Sequence, residues 1–174
     1  MKLIASAILI LVLNFIVLHL IGLVNHAMSP IAVMIYLPAL FFFPCFIHLN
    51  IKGCVMVFTV TGFALDHVYN TATGFHLLCL ICCIVSLRFV ALKGKFGKFS
   101  RPHFLQLIAN TFISLVLFIT LYFFPIKGGS WTLINFTVDL ILSSLIFLIL
   151  CPWFNKLCTQ SLDTMISTMK NMSE

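Results

Sequence analysis

Charged residues are scarce in this 174-residue chain, and their scarcity excludes an ordinary soluble domain. Only 8% of the residues are charged and four are acidic, whereas 62% are hydrophobic. A soluble chain usually carries about 25% charged residues. A chain of this size cannot bury so much apolar surface within itself, so lipid is the expected solvent. Apolar stretches of roughly 20 residues, the length of one membrane crossing, recur along the sequence. The sequence therefore predicts a single integral membrane domain, residues 1–174.

Signatures of catalysis and of cofactor binding are also absent. The sequence contains no H-E-x-x-H, no G-x-S-x-G, no Walker loop and no paired carboxylates. Asp66, His67 and His76 follow no spacing typical of a metal site. The seven cysteines lie mostly in or beside apolar runs, where a free Cys behaves as a small hydrophobe. We therefore expect no enzyme activity, no catalytic residue, no cofactor, no metal and no disulfide framework.

Six apolar segments predict an all-α, polytopic fold. The first resembles a signal peptide, but its apolar part is too long for one, so we expect a retained helix. Pro38 and Pro44 fall inside the second segment and should kink or break it, which membrane helices tolerate where neighbours satisfy the freed carbonyls. The predicted helices cover residues 3–24, 31–49, 53–66, 75–92, 104–124 and 131–154, and a polar tail follows the last.

The basic residues predict the orientation of these helices. If all six segments cross and both termini are cytoplasmic, every basic residue except Lys127 lies on the cytoplasmic side. This asymmetry follows the positive-inside rule and explains the net charge of +6 without a nucleic-acid partner. The basic, Phe-containing stretch at 93–101 is explained by the same orientation rule. The alternative is that it binds anionic lipid headgroups.

Two polar stripes lie on the fifth and sixth predicted helices. Residues four apart share a helix face, and the short connection at 125–130 makes the two helices antiparallel neighbours. Side chains of this kind bind membrane helices to one another, although a polar ligand cavity or a docking face is the alternative. Asp139 keeps that alternative open, because an intramembrane carboxylate is a functional candidate. The stripes consist of Gln106, Asn110 and Ser114, and of Asn135, Asp139 and Ser143.

Residues 62–76 form the polar interruption of the apolar sequence. This stretch contains Asp66, and glycines stand near both its ends. Gly62 and Asp66 share a helix face, where Gly62 would let another helix approach closely. We expect Asp66 to have a capping role in the loop near the outer interface. Gly74 should allow a sharp re-entry into the fourth helix, which begins next to His76.

The pattern Gly62-x-x-x-Asp66, a short loop and then Gly74-x-His76 resembles the rod shape-determining protein MreD family of bacteria. Phe75 stands where that family usually has Leu. The clear resemblance covers about residues 55–95, and elsewhere only the hydropathy agrees. The Pro-rich second segment and the seven cysteines are not typical of the family.

The resemblance implies a non-enzymatic component of the bacterial inner (cytoplasmic) membrane. Such a protein binds the membrane-anchored MreC and acts, through the actin-like MreB, with RodA and a class B penicillin-binding protein in peptidoglycan synthesis and cell shape. Gly62, Asp66, Gly74 and His76 would form its docking or structural motif. The family's fold is similar to the substrate-binding S components of energy-coupling-factor vitamin transporters.

A vitamin-binding S component is therefore the alternative function. Such a subunit needs polar and aromatic groups that converge on an outer cavity. The sequence offers few candidates for that cavity, which makes the scaffold the favoured interpretation. The candidates are His26, Asp66, His67, Tyr69, Asn70 and Trp131.

Overall fold

The computed structural model describes residues 2–92, 102–123 and 132–171, and within these ranges the chain is almost entirely helical with no β-strand. The helices are α1 (Lys2–Met28), α2 (Phe42–His48), α3 (Ile51–Val68), α4 (Phe75–Leu92), α5 (Pro102–Phe123) and α6 (Leu133–Asn171). Short 3-10 turns cover Ser29–Ile31 and Pro38–Phe41. Four helices, α1, α3, α5 and α6, are long and apolar enough to cross a membrane. The chain is therefore a multi-pass membrane protein.

Three helix pairs form the outer wall of the bundle. α3 packs along both α1 and α4, and α5 packs along α6. Large apolar side chains cover the outward faces of these helices, among them Ile16, Leu78 and Phe112. Lipid is the solvent that such a surface requires. We call the end of the bundle where α1 and α3 finish the outer end, and the opposite end the inner end.

A broken segment, residues 31–49, runs through the centre of this bundle, where a helix kinked or broken by Pro38 and Pro44 was expected. Residues 33–37 have no regular secondary structure, and every residue from 35 to 45 is buried. Pro38 explains the extended part, because proline disfavours the helical conformation in the residue before it. Pro44 is tolerated in the first turn of α2, where its missing N–H has no helical partner to lose.

Contacts at its two ends show that this central segment runs the length of the bundle. At the outer end, Ile35 exchanges two hydrogen bonds with the side chain of Asn25. At the inner end, the His48 ring lies 3.2 Å from the Thr159 hydroxyl of α6. The irregular residues 35–37, the 3-10 turn Pro38–Phe41 and α2 together cover this distance with about 14 residues. The prolines therefore lie in a segment that is not one continuous helix and that is buried from residue 35 to residue 45.

The last helix is longer than expected. The sequence predicted its end at residue 154 with a polar tail beyond, but α6 continues to Asn171. Cys158 and Leu162 are buried, and Met165 packs against the same core. Their spacing places one apolar stripe on the inner half of the helix. The tail is therefore helical because it still has an apolar face to bury.

Candidate functional site

Asp66, near the end of α3, binds the backbone that begins α4. One carboxylate oxygen, Oδ2, accepts a hydrogen bond of 2.6 Å from the Gly74 N–H. The other, Oδ1, accepts bonds from the His76 N–H at 3.0 Å and from the Thr71 hydroxyl at 2.9 Å. Free N–H groups at a helix start need such acceptors. Asp66 therefore caps α4 from a neighbouring helix, a more specific form of the capping role expected from sequence.

The imidazole of His76 connects Asp66 to the central segment. Its Nδ1 lies 2.7 Å from Oδ1 of Asp66, and its Nε2 lies 2.6 Å from the Tyr36 hydroxyl. The carboxylate accepts from Nδ1–H, which leaves Nε2 as the acceptor of the Tyr36 proton. His76 has no exposed surface and Tyr36 is 2% exposed. The three side chains thus form a buried Asp–His–Tyr network, which the Thr71 hydroxyl joins at Asp66.

The aromatic ring of Tyr69 packs against this network. Its ring meets that of Tyr36 edge to face, with centroids 4.8 Å apart. Its hydroxyl donates a 3.1 Å hydrogen bond to the Ile35 carbonyl. Burial raises the pKa of Tyr69 above its usual value, so the hydroxyl keeps its proton and remains a donor. Tyr69 therefore helps to hold the extended part of the central segment and is not presented to an outer cavity.

The two polar stripes bind the extended backbone of the central segment. Asp139 accepts from the Met34 N–H at 2.9 Å, and Ser143 accepts from the Tyr36 N–H at 2.9 Å. Asn110 accepts from the Ala39 N–H and donates to the Tyr36 carbonyl. A non-helical backbone inside a membrane is stable only when protein groups satisfy it. These side chains therefore replace the helical hydrogen bonds that residues 34–39 lack.

The remaining stripe residues have other environments. Gln106 is fully buried and its Oε1 accepts from Cys151 and Asn155 of α6. The Ser114 hydroxyl donates to the carbonyl of Asn110 in its own helix. Asn135 is half-buried near the start of α6. Gln106 thus joins α5 to α6 directly, which is the contact that the stripes were expected to make.

Both glycines of the 62–76 stretch occupy positions that a larger residue would disturb. A Cβ at Gly62 would lie 2.8 Å from the Leu77 backbone, so α3 and α4 meet closely at this point. Gly74 has φ +92°, a conformation that glycine adopts without strain. It forms the turn directly before α4. In this stretch α3 and α4 are thus connected by a tight turn, which the hydrogen bonds of Asp66 hold in place.

Three of the outer-end residues proposed for a ligand cavity, Asp66, His67 and Asn70, line one open depression. His26 is exposed elsewhere on the surface, and Tyr69 packs against Tyr36. Trp131 and the basic stretch 93–101 lie outside the described residues. Within the described ranges, no cluster of three or more His, Cys, Asp or Glu side chains is placed to hold a metal ion.

Sequence reasoning missed Tyr36 and Thr71. Tyr36 lies in an apolar run with no polar periodicity, so only the rarity of tyrosine, three in the chain, marked it. Thr71 lies in the loop after α3 and bonds Asp66. Both become visible only when the central segment is placed against the α3–α4 turn. The buried network can lock this turn and the segment together, because its acceptors and donors are occupied by one another.

Grooves open on the apolar surface of the described helices. One of about 680 Å³ lies between α4 and α5, and Leu78, Cys82, Phe112 and other apolar side chains line it. Another, of about 290 Å³, lies between α1 and α3 and contains two imidazoles, those of His19 and His67. A polar depression of about 580 Å³ adjoins it at the outer end and shares His67 with it.

The chain has no significant match among protein-family models, curated proteins or solved structures. The length and apolar composition of its helices are therefore what indicates a membrane protein.

Proposed function

We propose that this chain is a non-enzymatic scaffold of the bacterial inner membrane that binds a membrane-anchored partner. In the terms of the MreD resemblance, the partner is MreC, and through it the chain acts with MreB, RodA and a class B penicillin-binding protein. The bundle then has six crossings with both termini cytoplasmic, the central segment and α4 being added to the four helices α1, α3, α5 and α6. The output is control of peptidoglycan synthesis and cell shape.

The observation that carries this proposal is the internal use of the buried polar groups. Asn110, Asp139 and Ser143 bind the backbone of the central segment. Asp66 and His76 bind each other and the start of α4. Groups bonded in this way are not free to recognise a small molecule. The surface left for function is the outer surface of the bundle, as expected of a protein that works by binding another membrane protein.

The alternative S component is less well supported by the same geometry. Such a subunit requires an enclosed cavity in which polar and aromatic groups meet. The polar space at the outer end is an open depression lined by Asp66, His67, Asn70, Thr71 and Thr73, and Tyr36 and Tyr69 are packed inside the bundle. A vitamin-sized molecule would therefore not be enclosed there.

Co-purification from the native membrane tests the proposal. The tagged chain is solubilised in mild detergent and captured, and the bound proteins are identified by mass spectrometry, while a parallel culture is depleted of the chain. We expect the MreC-like protein in the eluate and rounded cells after depletion. The Cys82→Ala variant, which removes one exposed thiol, serves as the matched control and should capture the partner normally.

Two results would overturn the proposal. One is an eluate that contains a transporter energising module and no MreC-like protein. The other is depletion that leaves rod shape intact while uptake of a vitamin falls. Either would favour the S-component alternative, because a scaffold of the wall-synthesis machinery has no reason to alter vitamin uptake.

A further inference from the structure

The groove between α1 and α3 exposes two imidazoles in an otherwise apolar setting. His19 lies on the lipid-facing side of α1 among exposed Phe15, Ile16, Leu20 and Leu23. His67 lies on the exposed side of α3 and lines the same groove. Hydrocarbon chains offer neither a donor nor an acceptor to an imidazole. Ionisable side chains at such positions are functional candidates.

The depth of the two imidazoles follows from one hydrogen bond. Asn14 of α1 donates to the Thr61 hydroxyl of α3 at 3.1 Å, which places these two residues at one level. His19 is five residues further toward the outer end and His67 is six. At 1.5 Å per residue these steps are about 7.5 and 9 Å. Thr61 lies near the middle of α3, so both rings lie level with the outer half of that helix.

The groove also contains a glycine, Gly22, with empty space where a side chain would be. A Cβ built on Gly22 meets nothing within 4 Å, so the gap left by its missing side chain is not used inside this chain. Gly22 lies about one turn from His19, and Ala64 of α3 lines the same groove. Small residues of this kind let a second helix backbone come close, which is how membrane helices associate.

Continuity with the outer depression distinguishes a protein occupant from a lipid. The groove and the depression share His67, and the depression continues over Asn70, Thr71 and Thr73. A helix leaving the membrane here would pass its following hydrophilic residues over this polar surface. The α4–α5 groove, by contrast, is lined by apolar and small side chains that acyl chains can cover fully.

We propose that the α1–α3 groove seats the membrane-spanning helix of the partner. The bound helix would place a small residue against Gly22 and a polar side chain level with His19 and His67, to which it hydrogen-bonds. The inference rests on the proposed function and adds to it a docking surface and the chemistry of the partner helix. Gly62 and Asp66 then contribute indirectly, because they hold α3 against α4 and so fix the position of the helix that lines the groove.

Capture assays with groove variants test the location. Gly22→Leu fills the open position, and His19→Leu and His67→Leu remove one hydrogen-bonding ring each while keeping the apolar volume. We expect each His variant to reduce partner capture by about threefold to tenfold, and Gly22→Leu to reduce it further. The matched control is Cys82→Leu, which fills the α4–α5 groove and should leave capture unchanged. Thermal unfolding of each purified variant confirms that it is folded.

Photo-crosslinking gives an independent readout. A photoreactive phenylalanine analogue replaces Phe15 or Leu23 in the α1–α3 groove, or Phe112 in the α4–α5 groove as control. We expect crosslinks to the partner from the first two positions and not from Phe112. Partner crosslinks from Phe112 alone, or crosslinks to phospholipid alone at Phe15 and Leu23, would overturn the docking site. Failure of the unsubstituted chain to capture any MreC-like protein would instead remove the proposed function.

Discussion

The Tyr36 hydroxyl lies 2.6 Å from Nε2 of His76, and this contact joins the central segment to the start of α4. The two residues are 40 positions apart in sequence. Behind His76 stands Asp66, whose carboxylate holds the other ring nitrogen and two backbone N–H groups. The turn between α3 and α4 and the extended part of the central segment are thus positioned by one chain of hydrogen bonds.

Loss of the Tyr36 hydroxyl should destabilise the isolated protein. Tyr36→Phe keeps the ring packing but leaves Nε2 of His76 buried without its partner, which costs about 1–3 kcal/mol. We expect a lower midpoint of thermal unfolding in detergent. Tyr122→Phe is the matched control, because Tyr122 is 71% exposed and should lose nothing measurable. Equal midpoints for Tyr36→Phe and the unsubstituted chain would show that the contact contributes no stability.

Substitutions at Asp139 should separate its hydrogen-bonding role from its charge. Asp139 is 3% exposed and faces protein, with Oδ1 accepting from the Met34 N–H. Asp139→Asn retains an acceptor oxygen, so partner capture and cell shape should be preserved. Asp139→Leu leaves the Met34 N–H without this acceptor and should cost about 1–3 kcal/mol, seen as reduced protein in the membrane. Normal stability of the Leu variant would contradict this assignment.

Much of the helical layout could be predicted from sequence, since apolar length and end signals determine it. α3 illustrates this, because a helix was predicted over 53–66 and is found at Ile51–Val68, where it begins earlier because the Asn50 side chain caps the Gly53 N–H. The ends of α6 and the conformation of the central segment could not. The apolar stripe Cys158–Leu162 is short, and prolines indicate where a helix breaks but not the path that the chain then takes.

The candidate site was predicted in its residues more than in its contacts. The polar stripes were identified, but Asp139 bonds the Met34 N–H, 105 positions away. Periodicity reports which residues share a helix face and says nothing about a partner so distant in sequence. Asp66 and His76 were selected through a motif, while Tyr36, their third member, had no pattern of its own.

Glycine substitutions should distinguish a crowded helix face from an open one. Gly62→Ala puts a Cβ 2.8 Å from the Leu77 backbone, so α3 and α4 must separate and the unfolding midpoint should fall. Gly22→Ala is the matched control: nothing lies within 4 Å of its Cβ, and the helix gains up to about 1 kcal/mol from the better helix former. A midpoint lowered equally by both variants would mean that the close α3–α4 contact is not what requires Gly62.

A second glycine variant probes the turn. Gly74→Val forces a β-branched residue into φ +92°, which strains the backbone whatever space surrounds it. We expect less partner capture and rounded cells for Gly74→Val and Gly62→Leu, compared at matched protein levels, with Cys82→Ala close to normal. If these variants fold and capture the partner normally, the turn has no part in docking.

Reporter fusions should locate both ends of the chain and the connection between α4 and α5 on the cytoplasmic side. All ten basic residues except Lys127 then lie on that side, as expected from the positive-inside rule. The central segment is part of this count, because it runs from the Asn25 level at the outer end to the Thr159 level at the inner end.

A fusion after residue 174 and one within 93–103 should both report cytoplasm, and one within 125–130 should report the opposite side. The paired use of an alkaline phosphatase and a fluorescent reporter controls for fusions that fail to insert. A cytoplasmic signal from 125–130, or an external one from either other site, would contradict the six-crossing arrangement, since α5 and α6 would then not both span the membrane in the proposed directions.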